Sequence, residues 1–485
     1  MKYCLLSIGL LILFTACDSW LDVSSENTLA TDEAFSTQAN LEQALTGVYS
    51  LIKGEDLAGR NWLLFSDLIG GNVSLLQGNF AEITQLEISV HNTRVEGLWS
   101  SSYRVINQLN QVLAAINMVA QSDPFFTIAD QEQLRGEAYL LRAIVYDYLL
   151  RYFALPYTLE TADSLGVPLV LEPIQDQEEL VFPARTTVRK ITDQIQQDLQ
   201  SARELLPAQS TPGRVNTYVA TAYLAKLMFH QERWREAADL CQEIIDGPYS
   251  LTDIPQGFFR QEGSTEEIWA AKAAADNPNF TGLNWAYTLS QTTSDLITNT
   301  FQALLLPAQT MALEGAGYHA IDLRVDTGFL STDPLLSTDQ QYSYKYEDYT
   351  DLGDDAPLLR LAEFLLLRAE ALVHLEEITE ALELLNCIRR RAFRIIDVNG
   401  NLLPTSAAGT WVDVEEGGLS TEELLAVITR ERRAELAFEG NLLHDRIRRQ
   451  EVVRGGLTWN DPRLRLPIPQ REIDANPNLV QNPGY

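Results

Sequence analysis

The feature that most constrains the fold of this 485-residue chain is a set of helical hydrophobic patterns that occur in adjacent pairs. Apolar residues spaced three and four positions apart predict amphipathic helices over 98–118 and over 188–205. Pro207, two residues beyond the second helix, is expected to stop it. Residues 215–229 and 234–245 form the clearest pair, with alanines where two helices would cross closely. The chain is therefore expected to be mainly α, with its helices packed as hairpins.

The 215–229 and 234–245 pair resembles a tetratricopeptide unit, because small residues lie at the crossing and Trp234 begins the second helix. Residues 358–375 and 378–393 predict a second hairpin, which Pro357 is expected to open from a first-turn position. We therefore expect tetratricopeptide-like hairpins in both halves of the chain.

A long segment without helical periodicity separates the two helical halves. It is rich in Gly, Pro, Asn, Asp and aromatic residues, which predicts loops with short strands, and such insertions commonly carry function. The predicted parts are a signal peptide (1–16), a lipidated tether (17–30), an N-terminal helical part (31–248) with an aromatic loop (61–95), a loop-rich ligand-binding insertion (249–356) and a C-terminal helical part with a tail (357–485).

The N-terminus carries an apolar run, residues 3–16, after a single lysine. The run is shorter than the ~20 residues that a membrane-spanning helix needs, and it matches the apolar region of a signal peptide. The sequence Phe14-Thr15-Ala16-Cys17 resembles a bacterial lipobox, which predicts cleavage before Cys17 and lipidation of its thiol. An ordinary signal peptide with an incidental cysteine is the alternative.

Of the remaining cysteines, Cys4 would leave with the signal peptide. Cys241 and Cys387 lie in helical patterns among apolar neighbours, so buried free thiols are favoured over a disulfide.

The chain is strongly acidic, with 36 Lys and Arg against 67 Asp and Glu and a net charge of −31. Removing residues 1–16 takes away one lysine and no acid, which leaves −32. Such a field disfavours nucleic acid, and no dense basic patch is visible in the sequence to oppose it. It also favours neutral or cationic ligands over anionic ones.

Sequence motifs for catalysis are absent: no G-x-S-x-G, H-E-x-x-H, C-x-x-C or P-loop pattern occurs, and the five histidines are scattered. We therefore expect no metal, no cofactor and no enzyme activity. Glu431 and Glu435 continue the apolar face of a helix over 424–438, and a glycosidase needs two carboxyls about 5–9.5 Å apart. Ion pairing inside a helix bundle is favoured instead, because arginines occupy matching helical positions. These are Arg360, Arg368, Arg389, Arg391, Arg432 and Arg433.

Several short motifs, in order along the chain, resemble the SusD/RagB family of nutrient-binding lipoproteins. The departures are Leu442, where the family has Arg, and Asp445-Arg446, where it has Asp-Leu, and these put one local ion-pair network in doubt. The matching motifs are Cys17-Asp18-Ser19-Trp20-Leu21-Asp22-Val23, Trp99 with Tyr103, Ile106 and Asn110, Glu137-Ala138 to Arg142-Ala143, Asp322 with Arg324, Lys345-Tyr346, Glu431 to Gly440, and Gln481-Asn482-Pro483-Gly484-Tyr485.

The resemblance implies a SusD-like fold, with tetratricopeptide-like helices packed against a loop-rich half. It also implies a lipid-anchored, surface-exposed protein of the outer membrane that is not an enzyme. Such a protein would capture an oligosaccharide or another nutrient and deliver it to a SusC-like TonB-dependent transporter.

A non-catalytic saccharide site needs aromatic platforms flanked by polar side chains. The loop-like segments therefore nominate six ligand-binding residues, although each aromatic could instead be core. The candidates are Trp62, Asp67, Asn72 and Phe80 from the first segment and Trp285 and Tyr287 from the second, whereas Trp99 and Trp234 are assigned to the core. The alternative functions are binding of a peptide or another nutrient and a helical-repeat scaffold, with a glycoside hydrolase least favoured.

Overall fold

The structure is a computed structural model, and it describes residues 35–174, 181–260, 263–272, 282–293, 296, 300–326, 329–331, 342–346, 353–403 and 411–485. The predicted signal peptide, the tether and Cys17 lie outside the described residues, so their assignment stays a prediction.

Helices dominate the described residues, and strands are short. The helices are α1 (Gln38–Ile52), α2 (Asn61–Gly70), α3 (Asn79–Gln85), α4 (Thr93–Ser122), α5 (Ile128–Phe153), α6 (Val188–Leu205), α7 (Thr217–His230), α8 (Trp234–Ile245), α9 (Gly257–Arg260), α10 (Leu283–Leu289), α11 (Pro307–Gly315), α12 (Leu323–Asp326), α13 (Leu361–His374), α14 (Ile378–Ala392), α15 (Thr421–Glu435), α16 (Leu442–Arg448) and α17 (Gln470–Ala475).

The long helices pack side by side in chain order, from α4 through α5, α6, α7 and α8 to α13 and α14. The predicted α7–α8 hairpin forms, and Ala220, Ala225 and Ala237 are buried in it. The mainly α fold with tetratricopeptide-like hairpins is thus confirmed. No helix in the described part of the chain has the length and apolarity to cross a bilayer.

Local side chains fix where several helices begin. Thr127 caps α5 and Ser420 caps α15, and in both cases the carboxylate of an acidic residue three positions on accepts a hydrogen bond from the backbone N–H of the cap. These reciprocal bonds satisfy amide groups that a helix start otherwise leaves unpaired. Both helix starts are therefore encoded locally.

The strands are β1 (Val73–Ser74), β2 (Glu267–Ala271), β3 (Gln291–Thr292), β4 (Tyr318–Asp322), β5 (Leu330–Ser331), β6 (Tyr342–Ser343), β7 (Ala356–Arg360) and β8 (Phe393–Asp397). They form a four-stranded sheet in the order β1-β3-β6-β5 and two antiparallel pairs, β2-β7 and β4-β8. Pairing of β1 with β3 joins the 61–95 segment to the loop-rich segment.

Two sequence predictions are wrong, one for the 61–95 segment and one for Pro357. The 61–95 segment is not a continuous loop, because it contains α2 and α3; every residue of α2 is buried, so its sequence lacks the polar stripe that reveals a surface helix. Pro357 does not open a helix but lies in β7, which pairs with β2 before α13 begins at Leu361.

The two cysteines within the described residues are free thiols, in agreement with the sequence prediction. Cys241 is buried in α8, and burial raises the pKa of its thiol. The prediction that Cys387 is buried is wrong, because its side chain lies on the exposed face of α14.

Candidate functional site

Glu431 and Glu435, the acid pair that a glycosidase would need, lie in a buried charge cluster. Glu431 accepts hydrogen bonds from Arg324 Nη1 at 2.6 Å and Arg389 Nη1 at 2.8 Å. Glu435 Oε1 accepts from Arg360 Nη1 at 2.8 Å and also from Arg391 Nη2. The ten members of the buried charge cluster are Glu266, Asp322, Arg324, Lys345, Arg360, Arg389, Arg391, Glu431, Glu435 and Glu439.

One acid of this cluster, Glu435, is held ionised by its neighbours. Burial raises the pKa of Glu435, but the guanidinium groups of Arg391, Arg360 and Arg324 outweigh that effect and hold the pKa well below its ordinary value. A carboxylate in this state cannot donate a proton near neutral pH, and its oxygens are occupied by arginine. The sequence prediction of ion pairing over catalysis is consistent with this geometry.

The remaining arginines of the sequence prediction have other partners. Arg368 pairs with Glu380, Arg432 lies between Glu363 and Asp445, and Arg433 donates to the side-chain oxygen of Asn72.

The two segments that were expected to bind a ligand meet in the structure. Val73 of β1 lies opposite Thr292 of β3. The Tyr287 hydroxyl donates to Asp67 Oδ2 at 2.6 Å, and Asn72 Nδ2 donates to Asp67 Oδ1 at 2.7 Å. Residues more than 200 positions apart in sequence thus form one polar contact chain.

Five of the six nominated residues are buried at this junction. Trp62, Asp67 and Tyr287 have no solvent exposure, and Asn72 and Phe80 have 2% or less. Trp62 stacks on Tyr148 with the ring centroids 4.0 Å apart, so its face is occupied. Trp285 differs, with 39% of its surface exposed. Ligand contact by the six residues stays a prediction, and Trp285 is the member that solvent reaches most.

Asp67 is an unusual carboxyl group within the junction. Burial raises its pKa to about 6, although the hydrogen bonds from Tyr287 and Asn72 act in the opposite direction. Burial also raises the pKa of Tyr287 well above its ordinary value, so Tyr287 remains the donor of their shared bond. Asp67 therefore links α2 to α10 through a buried hydrogen bond and does not face solvent.

Trp285 forms the Trp285 cluster with Phe80, Glu55, Arg60 and Arg94. The Trp285 and Phe80 ring centroids are 6.1 Å apart, and the guanidinium carbons of Arg60 and Arg94 lie 5.2 and 5.0 Å from the Phe80 centroid. The side chain of Arg94 is 37% exposed and that of Glu55 is 45% exposed. A partly exposed tryptophan thus lies near accessible hydrogen-bonding groups of both charges.

The chain before Trp285 lies close to the same charged pair. A Cβ atom at Gly282 would be 2.9 Å from Arg60 Nη1 and 3.0 Å from Glu55 Oε1, so a side chain there would have to displace the ends of these two side chains. Gly282 therefore lets the start of α10 lie against Arg60 and Glu55 without displacing them, and Trp285 of α10 contacts Phe80. Sequence reasoning missed Glu55, Arg60 and Arg94, because their proximity depends on this tertiary approach and no spacing in the sequence encodes it.

No group of three or more His, Cys, Asp or Glu side chains within the described ranges is arranged to hold a metal ion. The oxygen-rich stretch around Asp397 forms a turn, in which Asp397 Oδ1 accepts from the amides of Asn399 and Asn401, each at 2.8 Å.

The fold and the family patterns both match known proteins. A family model described as "Starch-binding associating with outer membrane" matches residues 19–229, and one described as "SusD family" matches residues 337–461. SusD-like protein P2 of Formosa agariphila is 24% identical over 540 aligned positions that cover both chains completely. A SusD-like protein of Bacteroides ovatus is 27% identical over 46% of this chain and 38% of its own length.

Solved structures agree over almost the whole chain. A SusD superfamily protein of Bacteroides thetaiotaomicron superposes with a TM-score of 0.74 at 23% identity, covering 92% of this chain and all of the other. A putative sugar binding protein of Bacteroides vulgatus gives a TM-score of 0.75 at 24% identity, covering 93% of this chain and 99% of the other. The architecture is therefore that of a SusD-like helical protein. The chain belongs to the SusD/RagB family.

Proposed function

We propose that this protein binds a saccharide on the Trp285 cluster without cleaving it. The observation that carries the proposal is the exposed part of Trp285, which packs against Phe80, with the exposed side chain of Arg94 over the same Phe80 ring and Glu55 beside Arg94. Sugar rings present apolar C–H faces that stack on aromatic rings and hydroxyl groups that bond to charged side chains. The family description and the similarity to a putative sugar binding protein support the same ligand class.

We further propose that the protein is not an enzyme. The support is the state of Glu431 and Glu435, whose carboxylates are buried and bonded to arginine. A glycan panel incubated with the protein should be retained on it and recovered at unchanged length. Release of shorter products would contradict the proposal.

Delivery to a SusC-like TonB-dependent transporter at the outer membrane completes the proposal. It is supported by the family membership and by the lipobox-like sequence that ends at Cys17. Replacing Cys17 with Ala should release the protein from the membrane fraction, and affinity purification of the intact lipoprotein should recover a transporter. A membrane-bound C17A protein would contradict the lipid anchor.

The binding proposal is tested by replacing Trp285 with Ala. Isothermal titration with a panel of neutral oligosaccharides should show affinity at least about tenfold weaker than wild type, or roughly 1.4 kcal/mol. Phe125→Ala is the matched control, because it removes an aromatic side chain that is 85% exposed in the connection between α4 and α5.

Circular dichroism and cooperative unfolding must be retained in both variants. Equal affinities for wild type and folded W285A would refute a site at Trp285.

A further inference from the structure

A second site is indicated by an arginine-lined cavity of about 200 Å³ between α15, α16 and the start of β1. We call it the arginine pocket. Its walls include five guanidinium groups and two carboxylates, Asp445 and Glu451, in a chain whose net charge is −31. The five arginines of the pocket are Arg430, Arg432, Arg433, Arg446 and Arg449. The pocket is thus a positively charged concavity in an acidic protein.

Three polar atoms of this pocket are buried and lack a hydrogen-bond partner among the described residues. They are Thr300 Oγ1, Arg430 Nε and Arg449 Nη1. Thr300 has no solvent exposure at all. Buried donors without acceptors are costly to a folded protein, and a bound acceptor would satisfy them. Two arginine donors and one hydroxyl around one cavity match the oxygens of a small anion.

Other arginines of the pocket are held in place before any ligand arrives. Arg432 donates from Nε to Asp445 at 2.7 Å and from Nη2 to Glu363 at 3.1 Å. Arg433 donates from Nε and Nη2 to Asn72 Oδ1, at 3.2 and 3.1 Å. These bonds hold the two guanidinium groups in position, so they contribute positive charge to the pocket with little loss of conformational entropy when an oxyanion binds. Asn72 also donates a hydrogen bond to Asp67, so it connects the pocket to the buried contact between Asp67 and Tyr287.

The pocket opens toward a larger cavity of about 610 Å³, and both are lined by Thr429, Arg430, Arg449 and Glu451. The larger cavity also contains Trp234, which stacks on His374 at 4.1 Å between ring centroids. The walls of the larger cavity carry four glutamates and three arginines, so their charges do not favour an anion. An anionic group is therefore favoured in the arginine pocket, and the uncharged sugar rings of a ligand are favoured in the larger cavity.

We propose that the arginine pocket binds an oxyanion substituent of a saccharide, a sulfate ester or a carboxylate. The saccharide part of this inference rests on the proposed function, whereas the oxyanion part depends on the pocket alone. Arginine suits both groups, because its planar guanidinium donates paired hydrogen bonds to two oxygens.

The first experiment uses inorganic sulfate as the probe, titrated into the folded protein at low ionic strength. Arg430→Gln is the test variant, because the Nε that it removes has no hydrogen-bond partner in the described part of the chain. Arg471→Gln is the matched control, since that side chain is 81% exposed and lies outside the pocket. Sulfate affinity should fall about tenfold or more in R430Q and stay unchanged in R471Q.

Arg430→Lys keeps the charge and should recover part of the affinity, and unchanged circular dichroism establishes that each variant is folded. Absence of sulfate binding to the wild type, or equal affinity in R430Q and R471Q, would overturn the proposal.

The second experiment separates this inference from the proposed function. Sulfated, carboxylated and neutral forms of one oligosaccharide backbone are titrated into wild type, R430Q and W285A. R430Q should weaken binding of one or both anionic forms and leave the neutral form unchanged, and the form affected identifies the substituent. W285A should weaken all three. If R430Q binds all three as the wild type does, the arginine pocket is not a saccharide subsite, while a W285A effect would still support the Trp285 cluster.

Discussion

Replacing Glu435 with Gln is expected to destabilise the protein strongly. The buried charge cluster contains five cations and five carboxylates, and each of these side chains is at most 8% exposed. Gln keeps the shape of Glu but leaves the cluster with one uncompensated positive charge. Its amide group also points a donor toward the guanidinium donors of Arg360, Arg391 or Arg324. Breaking a buried ion pair from one side typically costs about 3–5 kcal/mol.

Denaturation by guanidinium chloride, followed by circular dichroism, measures the effect. Glu236→Gln is the control, since the Glu236 side chain is 55% exposed in its pair with Arg233, and such pairs contribute about 0–1 kcal/mol. Adding Arg391→Gln to E435Q restores charge balance, so the double variant should lose at least about 1 kcal/mol less than the sum of the single losses. If E435Q costs no more than E236Q, the cluster does not stabilise the fold as argued.

The same variant has a defined pH dependence. The folded pKa of Glu435 is depressed, so its stabilising contribution is fully present above the unfolded value of about 4.3 and is lost as the pH falls toward the folded value. The stability difference between wild type and E435Q should therefore shrink below about pH 4. A difference that grows on acidification would contradict the ion-pair explanation.

Two further predictions concern other buried groups. The folded pKa of Asp67 is raised to about 6, so its ionisation opposes folding above that pH and the penalty disappears as the pH falls toward 4. Relative to Asp67→Asn, the wild type should gain up to about 3 kcal/mol between pH 7 and pH 4 in denaturant titrations, and a loss over that range would contradict the pKa. In protein that begins after Cys17, a thiol reagent should label Cys387 rapidly and Cys241 only after unfolding, since Cys241 is buried and Cys387 is exposed. Labelling of both in the native protein, or protection of Cys387, would contradict that assignment.

Two helices with a polar face could be predicted from sequence to the residue. The predicted spans 188–205 and 234–245 coincide with α6 and α8, because each buries one stripe and exposes the other. α2 could not be recognised, since all its residues are buried and no periodic contrast remains. β7 was mistaken for a helix start because burial on both faces hides the alternation of a strand.

The buried charge cluster could be predicted from the sequence only in part. The sequence indicated that Glu431 and Glu435 would pair with arginines, and the family motifs marked Arg324 and Lys345. It could not indicate that these residues meet, because Arg324 and Glu431 are 107 positions apart and are brought together by the fold. The same limit applies to the Trp285 cluster, in which Arg94 and Trp285 both contact Phe80.

The structure changes what the net charge of the chain implies about the ligand. A charge of −31 favours neutral or cationic ligands if it acts as a uniform field, but charges farther apart than the Debye length of about 8 Å are largely screened at physiological salt. Many bases are also neutralised in pairs inside the protein, as Arg360 and Arg389 are in the buried charge cluster. Ligand charge is therefore decided by the groups within hydrogen-bond reach, and in the arginine pocket those groups include the donors of Arg430 and Arg449. If the pocket rather than the whole-chain charge controls binding, sulfate affinity should respond far more to R430Q than to R471Q, although both substitutions change the net charge equally.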